Sequence, residues 1–421
     1  MEEIILKIAI IDADLIGRSN HRFPNLALLK LSAYNKTIGN NVTLIIDYRN
    51  LFSTYIELKN NCEPDFQILM FDDTAKKGYT RYYQEKNIIY DKIIISKVFT
   101  DTLVPLQILS LDITEYNGTG IFYDKATPLP NEIEHHMPDY HLYDEWVNMM
   151  INKGFKKNQF EYYLDYSIGF TTRGCFRQCS FCVNKNCTKV EYHSPIEEFL
   201  DKDRKYICLL DDNILGYGQW EGILNSLIVT KKPFQYKQGM DIRLMTKEKA
   251  DILSHSNYKG DFIFAFDNIE DKDEIIEKIK LWKESYTAKG NTKFYVFCGF
   301  DRNDVYDLTF WKQDIVDAFE RIKILMTYGC IPYIMRYKNY INSPFRGMYI
   351  NIARWGNQAS FVKKQSIKEF IYITDGEGQE DKNYASKRYL EDFKRQYPKI
   401  AEKYYGLKFE KLNIYQNRNI K

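Results

Sequence analysis

The stretch TTRGCFRQCSFC, residues 171–182, decides the interpretation of this chain of 421 residues. Its three cysteines, Cys175, Cys179 and Cys182, have the spacing C-x3-C-x2-C and directly follow a short apolar run. Thiolates are soft ligands that suit iron–sulfur clusters. Three thiolates on one loop can bind three irons of a cubane 4Fe–4S cluster and leave the fourth iron open. The spacing therefore predicts a 4Fe–4S cluster with an open coordination position.

Short apolar runs recur from this loop toward the C-terminus, with helical stretches between them. The runs are 167–171, 206–210, 234–240, 262–266, 294–298 and 331–335. Strands that alternate with helices in this way are typical of a parallel βα barrel or partial barrel. Polar residues follow several of the runs, at 211–213, 241–243, 267–268, 301 and 336. Because the carboxyl ends of barrel strands face the active site, we expect these side chains to gather there.

The residues before the cysteines predict a separate α/β domain. KIAIID at 7–12 and VTLIID at 42–47 are typical of buried parallel strands, and a third strand is expected within 88–99. The predicted class is α/β, with a doubly wound Rossmann-like domain (1–130), a proline-interrupted connector (131–162), a partial barrel (163–360) and a helical C-terminal extension (361–421). Within that extension a helix is expected over 386–405.

The cysteine loop resembles the signature motif of a known protein family. C-x3-C-x-φ-C, with Phe181 as the aromatic residue before the last cysteine, resembles the signature of the radical S-adenosylmethionine (SAM) superfamily. The resemblance implies a partial (β/α)6 barrel with the motif after its first strand. It also implies that the open iron binds the amino and carboxylate groups of SAM, and that an electron from the cluster cleaves SAM to give a 5′-deoxyadenosyl radical. The implied function is C–H functionalisation of a substrate that the sequence does not identify.

Further cofactor contacts are implied by the same resemblance. Phe181 is expected beside the adenine of SAM. Many members have a Gly-Gly-Glu-like segment after the second strand, where this chain has Asp211-Asp212-Asn213. The resemblance implies that this segment contacts SAM and that the carboxylate of Asp211 or Asp212 accepts hydrogen bonds from the SAM ammonium group. The other predicted contacts, to the SAM carboxylate, ribose and adenine or to an anionic substrate, are Arg243, Asp267, Gly299 and Arg336. No catalytic residue is predicted.

The layout also resembles the branch of the superfamily with a cobalamin-binding-like N-terminal domain. Cobalamin domains that place a histidine below cobalt carry D-x-H-x-x-G, whereas Asp139-Tyr140-His141 matches D-x-H alone and His21 lies outside the motif. We therefore expect a degenerate domain, and keep cobalamin-dependent methyl transfer as an alternative. Methylthio transfer to tRNA is excluded, because that chemistry needs three further N-terminal cysteines and Cys62 alone is present there.

A second alternative is a non-catalytic iron–sulfur or zinc module that senses redox state or binds a partner. Cys187 or His193 would be the fourth ligand of such a zinc site. Zinc ligands usually come as pairs from two places in the chain, whereas this chain has one triplet on one loop.

The amino-acid composition limits the binding partners and the cellular location that we expect for this protein. With 59 Lys and Arg against 57 Asp and Glu, the net charge is +2, so a nucleic acid is not expected as a partner. No apolar run reaches the roughly 18 residues of a membrane span, and the acidic start MEEIILK does not resemble a secretory signal. We expect a cytoplasmic protein without a membrane partner. The family resemblance implies a flavodoxin- or ferredoxin-like electron donor.

Overall fold

The computed structural model describes residues 4–57, 67–71, 80–286, 290–372 and 384–415, with the backbone alone described at 53–57, 67–71 and 80–87. Cys62 lies outside the described residues. The strands are β1 (Lys7–Asp12), β2 (Asn41–Ile45), β3 (Phe52–Glu57), β4 (Gln67–Phe71), β5 (Thr80–Ile88), β6 (Lys92–Ser96), β7 (Thr114–Asn117), β8 (Tyr166–Gly169), β9 (Thr172–Arg173), β10 (Glu191–Tyr192), β11 (Tyr206–Leu209), β12 (Phe234–Tyr236), β13 (Phe262–Ala265), β14 (Thr292–Cys298) and β15 (Ile331–Arg336).

The helices are α1 (Ala13–Gly17), α2 (Leu26–Thr37), α3 (Leu106–Leu109), α4 (Thr119–Phe122), α5 (Asn131–Glu134), α6 (Asp144–Asn152), α7 (Glu161–Leu164), α8 (Trp220–Val229), α9 (Lys247–His255), α10 (Lys272–Ser285), α11 (Leu308–Thr327), α12 (Arg346–Gly356), α13 (Ala359–Val362), α14 (Ile367–Tyr372), α15 (Tyr384–Gln396), α16 (Pro398–Tyr404) and α17 (Phe409–Leu412). Among the helices of these ranges, none is both long and apolar enough to cross a bilayer.

The chain divides into two compact units. The N-terminal unit comprises Met1–Gly169, Cys182–Asn186 and Ser194–Cys208, and the C-terminal unit comprises Phe170–Phe181, Cys187–His193 and Leu209–Lys421. The protein is mixed α/β with parallel sheets in both units. The predicted domain boundaries at 130, 162 and 360 stay predictions.

The N-terminal unit is built on a parallel sheet with the strand order β2-β1-β6-β7. The first predicted strand is confirmed at its predicted bounds, and from Ile8 onward every residue of β1 is buried. An unbroken apolar run of this kind suits a central parallel strand that is covered on both faces. Helix α2 begins where the Asn25 side chain accepts a hydrogen bond from the Leu28 N–H, at 3.3 Å, which is an ordinary N-cap.

The segment between β2 and β6 departs from the predicted alternation of strand and helix. Strands β3, β5 and β4 form an antiparallel sheet, with Phe52 opposite Ile88 and Phe71 opposite Thr80. The third strand predicted within 88–99 is present as the parallel strand β6, and β5 ends at Ile88, at the start of that range. The sequence FSTYI at 52–56 contains the aromatic and β-branched residues that favour strands, which agrees with this outcome.

All six strands predicted after residue 166 are present, as β8 and β11 to β15. Strands β13, β14 and β15 are parallel neighbours, and the isolated bridge from Met240 to Phe264 continues this sheet toward β12. One face of the sheet is fully buried: Phe262 and Phe264 pack on Trp282 of α10, with ring centroids 4.9 and 5.4 Å apart. The opposite face, which includes Tyr295 and Phe297, is only half-buried. This alternation is the period of two that a strand imposes.

The C-terminal extension contains two helices where the sequence predicted one over 386–405. Helix α15 ends at Gln396 and α16 starts at Pro398. Proline lacks an N–H and disfavours helical backbone in the preceding residue, so the break at Tyr397 follows from the sequence.

Candidate functional site

The cysteine loop is anchored at its base by a short antiparallel ladder. Strand β9 pairs with β10, so that Thr172 faces Tyr192, and the His193 N–H donates to the Thr171 carbonyl at 2.9 Å. Gly174 starts the loop with a φ of +90°, and a Cβ at this position would lie 2.5 Å from the Lys189 carbonyl oxygen. Only glycine fits there, because it combines positive φ with the absence of a side chain.

Asp211, directly after the predicted second barrel strand, holds the residues just before the loop. Its carboxylate accepts four hydrogen bonds, from the N–H groups of Thr171 and Thr172 at 3.1 and 2.6 Å and from their hydroxyls at 2.6 and 2.7 Å. The side chain is 2% exposed. Burial raises the pKa of the Asp211 carboxyl, while the four hydrogen bonds act in the opposite direction.

The next two residues contact the following positions of the loop. The Asp212 carboxylate accepts a hydrogen bond from the Gly174 N–H at 2.8 Å. The Asn213 amide Nδ2 donates to Cys175 Sγ at 3.7 Å. Asn213 Oδ1 is buried and has no hydrogen-bond partner among the described residues. Successive residues of the run Asp211–Asn213 thus contact successive positions of the segment that leads to Cys175. Its predicted contacts with SAM stay a prediction.

Two arginines donate to the buried carboxylate of Asp241, and one of them, Arg243, interacts electrostatically with Cys179. Asp241 accepts hydrogen bonds from Nε of Arg177 and from Nε of Arg243, the latter at 2.8 Å, and Arg243 also pairs with Asp271 at 2.7 Å. Burial lowers the pKa of Arg243, but the Asp241 hydrogen bond and the charges of Asp241, Asp271 and Cys179 outweigh it, so that the pKa is raised. Arg243 is therefore a fixed cation near the second cysteine of the motif.

Cys182 belongs to the N-terminal unit, where the Asn184 N–H donates to its Sγ at 3.4 Å. The following residues, Lys185 and Asn186, both contact the Asp124 carboxylate, at 3.2 and 3.1 Å. The N–H···S contact places a donor on the third cysteine of the motif.

No group of three or more Cys, His, Asp or Glu side chains forms a metal-ligand arrangement within the described ranges. The described cysteines form no disulfide with one another; they are Cys175, Cys179, Cys182, Cys187, Cys208, Cys298 and Cys330. The last three are buried, and burial raises the pKa of the Cys330 thiol to about 11. Buried thiols with raised pKa values are inert packing residues.

Phe181, the aromatic residue of the motif, packs in an aromatic cluster at the end of β14. Its ring centroid lies 4.1 Å from that of Phe297 and 5.6 Å from that of Phe300. Tyr337 closes the cluster against Phe300 at 4.9 Å. The predicted contact of Phe181 with an adenine ring stays a prediction.

Asp267 lies at the end of β13, beside a buried arginine that the sequence did not predict. The Arg321 guanidinium is 2% exposed and donates to the carbonyl oxygens of Phe266, Asp267 and Phe297, at 3.1, 2.6 and 2.8 Å. Burial raises the pKa of Asp267 to about 6, against the lowering effect of Arg321. Arg321 thus ties α11 to the carboxyl ends of two neighbouring strands.

The last two predicted residues lie at the ends of β14 and β15. Gly299 has a φ of +82°, and its N–H donates to Asp314 at 2.7 Å, a carboxylate that also accepts from the Tyr349 hydroxyl at 2.7 Å. The exposed Arg336 guanidinium lies over the Tyr340 ring, 4.5 Å from its centroid. The predicted ligand contacts of Gly299 and Arg336 stay predictions.

The structure therefore connects part of the predicted site. Within the C-terminal unit, Asp212 and Asn213 contact the cysteine loop, and Arg243 acts on Cys179 electrostatically. Sequence reasoning missed Arg177, which lies inside the motif, and gave Asp241 no role beyond that of a polar residue after a predicted strand. Those two positions are the signal that could have found them.

No protein-family model and no curated protein matches the sequence. Among solved structures, the chain is similar to the cobalamin-dependent S-adenosylmethionine radical enzyme OxsB, in a structure with aqua-cobalamin and S-adenosylmethionine bound. The identity is 12% and the TM-score 0.35, over 98% of this chain and 58% of that chain. The similarity is distant, and this chain spans less than two thirds of the length of that enzyme chain.

Proposed function

We propose that this chain is a radical SAM enzyme, in which Cys175, Cys179 and Cys182 hold a 4Fe–4S cluster. The bound cluster would supply one electron for the reductive cleavage of SAM, and the 5′-deoxyadenosyl radical from SAM would abstract hydrogen from the substrate. The observation that carries the proposal is the C-x3-C-x-Phe-C loop, placed after the first of six strands and held by the end of the second.

The donor set of this chain fits such a cluster. The three cysteine thiolates are soft ligands, and two of them receive N–H···S hydrogen bonds, Cys175 from the Asn213 amide and Cys182 from the Asn184 backbone. Donors to the sulfurs and the solvent exposure of the ligands are the means by which proteins tune iron–sulfur sites.

The surrounding residues of the C-terminal unit have distinct tasks in this proposal. Asp211 and Asp212 fix the backbone before Cys175, so that the loop is preorganised before any ligand arrives. Arg243, held by Asp241, supplies a positive charge for the SAM carboxylate. Asp212, which contacts the loop at Gly174, is the residue proposed to accept a hydrogen bond from the SAM ammonium. Asp211 is already committed to four donors, which assigns it to the loop.

The six strands β8 and β11 to β15 support a partial (β/α)6 barrel as the finer description of the fold. Their polar ends, which include Asp241, Asp267 and Arg336, would then line the substrate side. The substrate would lie over the carboxyl ends of these strands.

The test is anaerobic reconstitution with iron and sulfide, followed by dithionite and SAM, with 5′-deoxyadenosine as the readout. We expect product from the wild type and from Cys187→Ala, and none from Cys179→Ala. Cys187 is the matched control, because it is half-buried and lies five residues beyond the motif. Stoichiometric zinc in place of iron, lost on Cys187→Ala, would replace the proposal with a zinc site. A complete cluster without 5′-deoxyadenosine would replace it with a redox sensor.

Cobalamin-dependent methyl transfer is tested in the same preparation by adding hydroxocobalamin and recording its visible spectrum after gel filtration. The D-x-H string contributes other contacts in the N-terminal unit: Asp139 accepts from Ser32 and Lys36, at 2.6 and 2.7 Å, and His141 pairs with Asp144 at 2.8 Å. Retained cobalamin would assign the alternative. Electron delivery by a flavodoxin or ferredoxin, and a cytoplasmic location, belong to the same proposal.

A further inference from the structure

Asn213 carries an unexplained buried amide beside the first cysteine of the motif. Its side chain is 2% exposed, Nδ2 lies 3.7 Å from Cys175 Sγ, and Oδ1 has no hydrogen-bond partner in the part of the chain that the structure describes. An unpaired buried amide oxygen costs roughly 1–3 kcal/mol. The unpaired Oδ1 of Asn213 therefore lowers the stability of the fold.

The ordinary reasons for an asparagine do not apply at this position. The backbone is extended, with a φ of −161°, which any residue adopts. A short 3-10 turn starts at the next residue, Ile214–Gly216, yet the Asn213 side chain makes no capping hydrogen bond to its described N–H groups. Neither turn geometry nor helix capping explains the residue.

The local packing makes room for this amide. At Gly216 a Cβ would lie 3.3 Å from Asn213 Nδ2 and 2.8 Å from the Phe176 ring, so a larger residue would press on both. Asp211 and Asp212, which precede Asn213, fix the loop at Thr172 and Gly174. The backbone on either side of this amide–sulfur contact is thus fixed by the two residues that precede Asn213.

We propose that Asn213 is a positioning residue that raises the reduction potential of the cluster bound at Cys175. This inference rests on the proposed function. An N–H donor stabilises negative charge on the cysteine sulfur, and the reduced cluster carries one more electron than the oxidised cluster. The hydrogen bond therefore favours the reduced state. The reversed amide would place Oδ1 against the sulfur, where two negative groups repel each other.

The test is an EPR-monitored redox titration of the reconstituted protein, with thermal unfolding measured in parallel. Asn213→Ala removes the donor, and Asn213→Asp replaces it with an oxygen of the same shape. We expect both variants to titrate at a more negative midpoint than the wild type, with Asn213→Asp further displaced because its carboxylate adds charge. Should Asn213→Ala fail to fold, the isosteric Asn213→Asp still gives the measurement.

Asn351→Ala is the matched control. Asn351 is also buried in the C-terminal unit with an unpartnered Oδ1 among the described residues, but its Nδ2 donates to the Ser386 carbonyl, at 3.5 Å. It should change the unfolding temperature and leave the midpoint in place. Intact clusters with an unchanged midpoint in both Asn213 variants would overturn this inference and leave the proposed function standing. A wild-type protein that assembles no cluster would remove the proposed function and this inference with it.

Discussion

Asp211→Ala is the substitution for which the structure gives the largest expected effect on the cysteine loop. The Asp211 carboxylate is the acceptor for two backbone N–H groups and two hydroxyls of Thr171 and Thr172. Both threonines are buried, with exposures of 1% and 0%. The hydroxyls can rotate toward other acceptors, whereas the two N–H groups are fixed by the backbone.

The magnitude follows from those two N–H groups. Leaving a buried donor unpaired costs about 1–3 kcal/mol, so Asp211→Ala should lower the free energy of unfolding by about 2–6 kcal/mol. Asp211→Asn should cost about half of this, because one amide oxygen can replace Oδ1, which accepts three of the four hydrogen bonds. The amide nitrogen then opposes the Thr171 N–H alone.

Urea unfolding followed by tryptophan fluorescence measures this difference, since Trp282, Trp311 and Trp355 are buried in the C-terminal unit. Hydrogen exchange of a peptide spanning 170–174 reports the two amides directly. The control is Asp307→Ala, which removes one exposed cap hydrogen bond to the Phe310 N–H and should cost about 1 kcal/mol. Equal losses for Asp211→Ala and Asp307→Ala, or equal losses for Asp211→Ala and Asp211→Asn, would refute this reasoning.

Three further predictions concern pH, charge and packing. Burial raises the pKa of Asp12 to about 7 from its usual 3.8, so the contribution of this group to the stability of the N-terminal unit is complete below pH 3.8 and is lost as the pH rises to about 7. Asp12→Asn should therefore flatten the pH profile of the unfolding temperature between these values, and an unchanged slope would contradict the assignment. Arg321→Met should lower the free energy of unfolding by about 3 kcal/mol or more, because it leaves several buried carbonyls without a donor, while Arg321→Lys should lower it less. Equal urea midpoints for the wild type and Arg321→Met would show that Arg321 does not stabilise these strand ends. Gly347→Ala would bring a Cβ to 2.0 Å from the Tyr389 ring and should lower the free energy of unfolding by about 1–3 kcal/mol. Most of this loss should be recovered in the double variant Gly347→Ala/Tyr389→Ala, and a double variant as unstable as the single one would show that the clash is not the cause.

The strands could be predicted from the sequence because each is a short buried apolar run bounded on both sides by polar or turn-forming residues. All six runs after residue 166 became strands, and β1 has its predicted bounds. The antiparallel sheet of β3 to β5 was missed: β4 and β5 are neighbours in the sequence, whereas the pairing of β3 with β5 joins more distant segments, with Phe52 opposite Ile88. The break before Pro398 was missed although its cause is local.

The sequence predicted which residues form the candidate site better than it predicted the contacts between them. The cysteine spacing and the acidic run were visible as motifs, but nothing local shows that Asp211 accepts from Thr171 and Thr172, 40 and 39 residues earlier. Arg321 was hidden for another reason. A helix such as α11 normally buries its apolar stripe and exposes its charges, so a fully buried arginine contradicts the pattern on which the prediction depends.

The guanidinium of Arg321 has a consequence for how this protein can change in evolution. Its acceptors are main-chain carbonyls, so the fixed position of the ends of β13 and β14 does not depend on which side chains stand at 267 and 297. Sliding α11 by one residue would move the guanidinium by about 1.5 Å, enough to break those bonds. The loops that follow these strands can therefore exchange residues, and with them specificity, while a single helix keeps their starting points in register.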